Sequence, residues 1–207
     1  MFRNQSLDEF LTELSSRNPT PGGGTAAGLA AAMGAALVEM VANVVGGRDD
    51  AEKQRLSTFI DACEAFRTEF LGMMDDDSLA FEGYMAATRL PRTTDEEKAA
   101  RRDAMQSALK SSTRSPLKLA VRICDLVELV SATFVTAPKA IASDLYVGAS
   151  MLEAGFAGAV ANVYVNLAFL KDIAFEEETR GTIRQCQLRV AGLSSFKDAI
   201  GHLLAIP

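Results

Sequence analysis

The chain of 207 residues sets 21 Lys and Arg against 27 Asp and Glu, a formal net charge of −6, and carries 48% hydrophobic residues, three Cys, one His and no Trp. That acidic balance, with bases dispersed among acids, argues against a broad phosphate-backbone contact, so no nucleic acid is expected. Cys63, Cys124, Cys186 and His202 stand singly, which leaves no ligand spacing for a metal and no His-driven nucleophile, and suits a reducing, cytoplasmic compartment.

In chain order, Ser6-Leu-Asp-Glu9 is a capping box opening a helix to near Arg17, with Leu7, Phe10, Leu11 and Leu14 on one stripe. No apolar leader precedes it. Residues 18–24, Asn-Pro-Thr-Pro-Gly-Gly-Gly, form the strongest turn signal, since two prolines exclude helix and three glycines admit conformations closed to other residues. A small-residue helix over about 25–45 follows, built for close packing, including packing across a subunit boundary. Between 22 and 47 its only ionisable side chain is Glu39. Ala and Gly transfer poorly into lipid, and a central charge costs about 2.5 to 3.5 kcal/mol on insertion scales, so the segment reads as a buried helix and no membrane is expected; the same holds for 145–170, interrupted by Glu153.

After a charged break at 46–50, Leu56, Phe59, Ile60, Cys63, Phe66, Phe70 and Leu71 recur at helical spacing in a run over about 51–88. Leu90-Pro91 breaks it, and a second capping box, Thr94-Asp-Glu-Glu97, opens a helix to about Ser112. Pro116 predicts the first turn of a separate helix reaching about Ala132. Ser143-Asp144 is expected to cap the next apolar helix, and a mixed helix over about 174–204 ends the chain. No strand alternation or hairpin turn occurs. The expected fold is an all-α, single-domain bundle of long helices over 1–207, without linker or repeat.

Four features could carry chemistry. Pro21, Gly22, Gly23, Gly24 and Thr25 feed a helix N-terminus, where backbone N–H groups and the dipole favour an oxygen ligand; the alternative is a plain capping loop. It lacks the Gly-Lys-Ser/Thr ending of a P-loop. Asp75-Asp76-Asp77 fan around a helix, so at least one carboxylate faces inward or a neighbour, and mutual repulsion raises their proton affinity; they serve either acid/base work or a solvated acidic turn. Asn162 and Asn166, one turn apart on an apolar helix, can hold one ligand edge or bond a partner helix. Asp144 shares their stripe but stands 18 residues earlier, about 27 Å away. It is therefore either a helix cap or part of a site completed by another subunit.

At these residues the chain resembles the cyclodeaminase/cyclohydrolase family, which comprises the folate cyclodeaminase part of formiminotransferase-cyclodeaminase and the bacterial methenyltetrahydrofolate cyclohydrolases. The resemblance rests on Phe10-Leu11, Pro19 with Thr20-Pro21-Gly22-Gly23-Gly24-Thr25, Met33-Gly34-Ala35-Ala36-Leu37, Met40-Val41-Ala42-Asn43, Asp77 with Ala80-Phe81, Leu90-Pro91, Thr94 and the residues to Arg101, Ser143-Asp144, and Asn162-Val163-Tyr164-Val165-Asn166. Asn43, the 94–101 stretch and the 162–166 stretch look more like the cyclohydrolase branch. The resemblance implies an all-helical homodimer without metal or prosthetic group, acting on a tetrahydrofolate derivative as substrate. It implies opening of 5,10-methenyltetrahydrofolate by water to 10-formyltetrahydrofolate, or alternatively ring closure of formiminotetrahydrofolate with loss of ammonia, or a folate-binding paralogue without turnover. Asp77 would be the catalytic acid/base, with Pro21, Gly22, Gly23, Gly24, Thr25, Asn43, Asp144, Asn162 and Asn166 binding substrate. The chain departs from its relatives at Val45, at Asp49, Asp50 and Ala51 where basic and aromatic residues are usual, at Ala137-Pro138 in place of Gly-Asn, and at Glu39, whose carboxylate in an apolar helix needs a partner.

Overall fold

The computed structural model describes residues 1–134 and 139–205; the departure at Ala137-Pro138 lies outside them. Seven α-helices are formed among the described residues: α1 (Leu7–Leu14), α2 (Gly23–Gly46), α3 (Asp50–Thr88), α4 (Asp95–Thr133), α5 (Ala142–Leu167), α6 (Ile173–Val190) and α7 (Gly192–Leu204), with short 3-10 turns at Phe2–Asn4 and Lys139–Ile141. No strand occurs among these residues. The all-α expectation holds.

Both capping boxes form: Ser6 and Thr94 each accept from the N–H three residues on, while Glu9 and Glu97 reach back to the cap N–H. Helix α1 stops at Leu14, short of Arg17, and buries only Phe10, which meets Phe2 edge to face. Leu7 and Leu11 of its stripe stay exposed.

Helix α2 is the hub. It packs between α3 and α5, and its glycines set how near they come. A Cβ on Gly34 would lie 2.9 Å from the Gly148 carbonyl oxygen and 2.8 Å from Leu152, so only a bare backbone permits this crossing. Gly23 lies by Asn162, Ala27 and Ala31 by Gly155, and Gly34 by Gly148: α5 runs antiparallel to α2. The main core joins Val38 and Val41 of α2, Phe59 and Phe70 of α3, Ile123 and Leu126 of α4, and Leu145 and Leu152 of α5. A smaller cluster of Leu109, Val163, Leu167, Leu170 and Ile183 closes the α4, α5 and α6 corner.

Three expected boundaries move. Residues 95–133 form one helix with Pro116 inside it, where a break after Ser112 was expected. Proline withholds the N–H that would reach the carbonyl four residues back, and that carbonyl, Ser112 O, accepts instead from Asn166 Nδ2 at 2.8 Å. Ser143-Asp144 does not cap α5; the helix starts at Ala142, ahead of both residues, with Ile141 at the cap position and Asp144 in the first turn. The final segment turns at Ala191, so Ile183 of α6 packs in the smaller cluster while Leu193 and Ile200 of α7 reach the main one.

Among the described residues α2 alone is long and apolar enough to cross a membrane, and half of its apolar window is buried against its neighbours. Glu39 has its partner: Arg67 Nε of α3 lies 2.9 Å from Glu39 Oε2, both half-buried.

Candidate functional site

The three consecutive aspartates of α3 part company, as adjacent helix positions must. Asp75 is buried and turns to the N-terminal segment, accepting from the Phe2 N–H at 2.7 Å and pairing with Arg3 at 3.1 Å. Asp76 is exposed. Asp77 points at the N-terminus of α2, which the chain enters through a cis Thr20–Pro21 peptide.

That approach is very close. A Cβ on Gly24 would lie 2.3 Å from Asp77 Oδ1 and 2.5 Å from Cγ, so the carboxylate rests against a helix start stripped of side chains, where free N–H groups and the dipole favour negative charge. Thr25 holds it from below: its hydroxyl lies 3.4 Å from Asp77 Oδ2, its N–H donates to the same carboxyl, and the hydroxyl also meets Ser78 Oγ at 3.2 Å and the Gly22 N–H at 3.5 Å. Burial pushes the Asp77 carboxyl above the usual carboxylate range, and the two Thr25 hydrogen bonds draw it part of the way back.

Above Asp77 lies a cavity of about 210 Å³ lined by Pro19, Thr20, Gly22, Gly23, Gly24, Asp77, Phe81, Ser112, Asn162, Val165 and Asn166. Asp77 is the sole ionisable group in that lining. The two asparagines are anchored by their nitrogens: Asn162 Nδ2 donates to the Gly158 carbonyl and Asn166 Nδ2 to the Ser112 carbonyl, each at 2.8 Å. With the amides so oriented, their oxygens are the groups left to accept from a ligand N–H. A carboxylate that can exchange a proton thus faces two amide acceptors and one aromatic ring, a setting for proton transfer at the nitrogens of a planar heterocycle.

The structure brings together Asp77, Gly22, Gly23, Gly24, Asn162 and Asn166. Thr25 is fully buried behind Asp77, and Pro21 is buried beneath the turn; neither lines the cavity. Asn43 sits 20 residues beyond Gly23 on α2, about 30 Å away. There it borders a larger open hollow of about 740 Å³ with Arg48, Asp49, Lys53 and Asp61, whose charged side chains all face solvent. Asp144 stands at that same end of the antiparallel α2/α5 pair, remote from Asp77 within one chain. His202 occupies the last turn of α7, exposed. Ser112 and Ser78 were not among the expected site residues, and Phe81 and Val165 stood only within resemblance motifs without a role; the one signal for Ser112 is Pro116, four residues further on.

Comparison with known proteins identifies the family. The formiminotransferase-cyclodeaminase family model matches residues 6–185. A methenyltetrahydrofolate cyclohydrolase from Methylorubrum extorquens is 41% identical over 181 residues, covering 86% of each chain. The formimidoyltransferase-cyclodeaminase of Sus scrofa is 36% identical over 185 residues, 87% of this chain but 34% of that longer protein. The crystal structure of formiminotetrahydrofolate cyclodeaminase from Thermotoga maritima superposes with a TM-score of 0.82 at 26% identity, covering 99% of this chain and 98% of the other. Sequence and fold agree: this chain belongs to the formiminotransferase-cyclodeaminase family.

Proposed function

We propose that this protein is a methenyltetrahydrofolate cyclohydrolase, opening 5,10-methenyltetrahydrofolate with water to give 10-formyltetrahydrofolate. The observation that carries the reading is Asp77, a half-buried carboxylate at the bare start of α2, facing the amide oxygens of Asn162 and Asn166 across one cavity. The cyclohydrolase relative is 41% identical, against 36% and 26% for the two cyclodeaminases, which favours this reaction over ammonia release from formiminotetrahydrofolate.

In this mechanism ionised Asp77 takes a proton from water as its oxygen adds to the electron-poor methenyl carbon. The resulting carbinol collapses to a formyl group, the bond from that carbon to N5 breaks, and N5 takes the proton from Asp77. The second water proton leaves to solvent, and the formyl group remains on N10. Asn162 and Asn166 orient the heterocycle by accepting from its N–H groups, and Phe81 gives it an apolar wall. The chemistry is read as metal-free, with Asp77 carrying the proton between water and N5.

The cavity is smaller than the roughly 300–1,000 Å³ of a pocket for a drug-sized ligand, so the rest of a folate lies outside it. We place that remainder at a homodimer interface. Support comes from the outer sides of α2 and α5, where Met33 and Val44, 11 residues apart, and Val147, Ala154, Ala161 and Val165, 7, 7 and 4 residues apart, lie open along one side of each helix, as in a helix-packing seam. A two-fold axis across this face would bring the Asn43 and Asp144 end of one copy against the Asp77 end of the other. A cytoplasmic enzyme with no nucleic-acid or membrane partner fits the charge and the core position of α2.

The test follows loss of methenyltetrahydrofolate absorbance with purified protein. Wild type accelerates it and Asp77→Asn, still folded by circular dichroism, does not. Ammonia release from formiminotetrahydrofolate alone would assign the cyclodeaminase reaction instead, and binding without either reaction a non-catalytic paralogue. Mixing inactive Asp77→Asn with inactive Asp144→Ala should restore part of the activity if two copies build each site.

A further inference from the structure

Helix α4 runs through Pro116 without a break, although a proline inside a helix removes one backbone donor and crowds the carbonyl four residues back. That carbonyl belongs to Ser112, and it accepts from Asn166 Nδ2 at 2.8 Å, across the gap from α4 to α5. The Ser112 hydroxyl meanwhile donates to the Ala80 carbonyl of α3 at 3.1 Å. One residue of α4 is therefore tied to both α3 and α5 at the wall of the cavity, and Pro116, itself buried, releases the atom that makes the tie to α5.

We infer that Pro116 is a positioning residue for the cavity: by withholding its N–H it keeps the Ser112 carbonyl turned out of the helix ladder, where it fixes the amide of Asn166 with its nitrogen toward α4 and its oxygen left to accept from a ligand N–H. An ordinary residue at this position would supply a donor and draw the carbonyl back into the ladder, as in any uninterrupted helix. The Asn166 amide would then lose the contact that selects its orientation, and rotation would present a donor where the ligand needs an acceptor. The proline thus trades helix regularity at one turn for a defined hydrogen-bonding face at the site. The ligand side of this inference rests on the reading of function above; the contact between α4 and α5 does not.

The experiment has two arms on the full-length protein. In the first, urea unfolding is measured for wild type, Pro116→Ala, Asn166→Leu and the double variant. With proline in place, Asn166→Leu orphans the Ser112 carbonyl and lowers the denaturation midpoint; combined with Pro116→Ala the helix N–H satisfies that carbonyl, and the drop is smaller. Equal drops in the two backgrounds would overturn the inference. In the second arm, turnover of methenyltetrahydrofolate by Pro116→Ala shows KM raised about three- to tenfold, the worth of one neutral hydrogen bond, with kcat reduced less and stability unchanged or higher. A variant that folds with unchanged KM would reduce Pro116 to a purely structural role and overturn the positioning claim. If wild type itself turns over no folate, the functional reading fails, while the unfolding arm still decides whether Pro116 and Asn166 are coupled.

Discussion

Gly24 and Asp77 are in such close approach that the helix start has no room for even a methyl group: a Cβ on Gly24 would meet Asp77 Oδ1 at 2.3 Å and Oδ2 at 2.5 Å. Contacts this short force something to move, and the movable party is the carboxylate.

Gly24→Ala should therefore separate activity from stability. Alanine is the better helix former by about 0.5–1 kcal/mol, so the melting temperature should shift by no more than a few degrees. The displaced carboxylate should cost on the order of 100-fold in turnover, the usual penalty for an ångström of misplacement. A fully active Gly24→Ala protein would mean that Asp77 does not work from this position.

The charge state of Asp77 gives a pH-dependent outcome. Its folded carboxyl lies above the ordinary range because of burial, tempered by Thr25. Between the unfolded and the raised folded value the native chain holds a proton that the unfolded chain has released, so stability falls as pH rises through that window and the penalty is complete above it. Asp77→Asn should melt higher than wild type above the window and lose that gain below the ordinary carboxylate range. Thr25→Val, which removes a donor to the ionised form, should move the acidic limb of kcat/KM to higher pH. Melting curves and rate profiles across pH check both outcomes.

Glu39, the lone carboxylate of an apolar helix, is not stranded, since Arg67 meets it at 2.9 Å on the flank of α2. Removing one partner leaves a half-buried charge uncompensated, so Arg67→Leu and Glu39→Leu singly should each cost about 1–2 kcal/mol, whereas Glu39→Leu with Arg67→Leu should stay within about 1 kcal/mol of wild type. Urea denaturation of the two singles and the double measures the difference, and additive costs would show that the pair is not coupled.

All three thiols are buried. Burial, aided by the Glu39 charge, pushes Cys63 up to about 12, and burial followed by the neighbouring Cys186 also raises Cys124. Neither supplies thiolate at neutral pH. Ellman's reagent should label less than one thiol per folded chain at pH 7.5 and three in urea; rapid labelling of the native protein would contradict this burial.

Much of the fold was legible locally. The capping boxes at Ser6 and Thr94 and the apolar periodicity of α3 each act within a few residues and formed as expected, whereas the turn before α2 is shorter than expected: Gly23 and Gly24 are already helical, and no glycine among the described residues has a positive φ. The break expected at Pro116 did not form, because the lost hydrogen bond is replaced by Asn166, 50 residues further on. Candidate chemistry followed the same division. Helix period alone does not rank Asp75, Asp76 and Asp77, since it fixes their spread but not what each direction meets; the family resemblance singled out Asp77.

By itself, then, the sequence determined the helices, the small-residue hub and the carboxylates and amides available for proton transfer, because capping, periodicity and side-chain chemistry are local properties. Only the tertiary structure decided that Asp77 and not Asp75 faces the cavity, that Thr25 supports it from behind, that Asn43 and Asp144 gather at the far end of α2, and that a proline in mid-helix is spanned. Each of these depends on which helix lies across the gap, and that is set by the glycine-mediated crossings of α2 with α3 and α5, which the chain's own neighbouring residues do not encode.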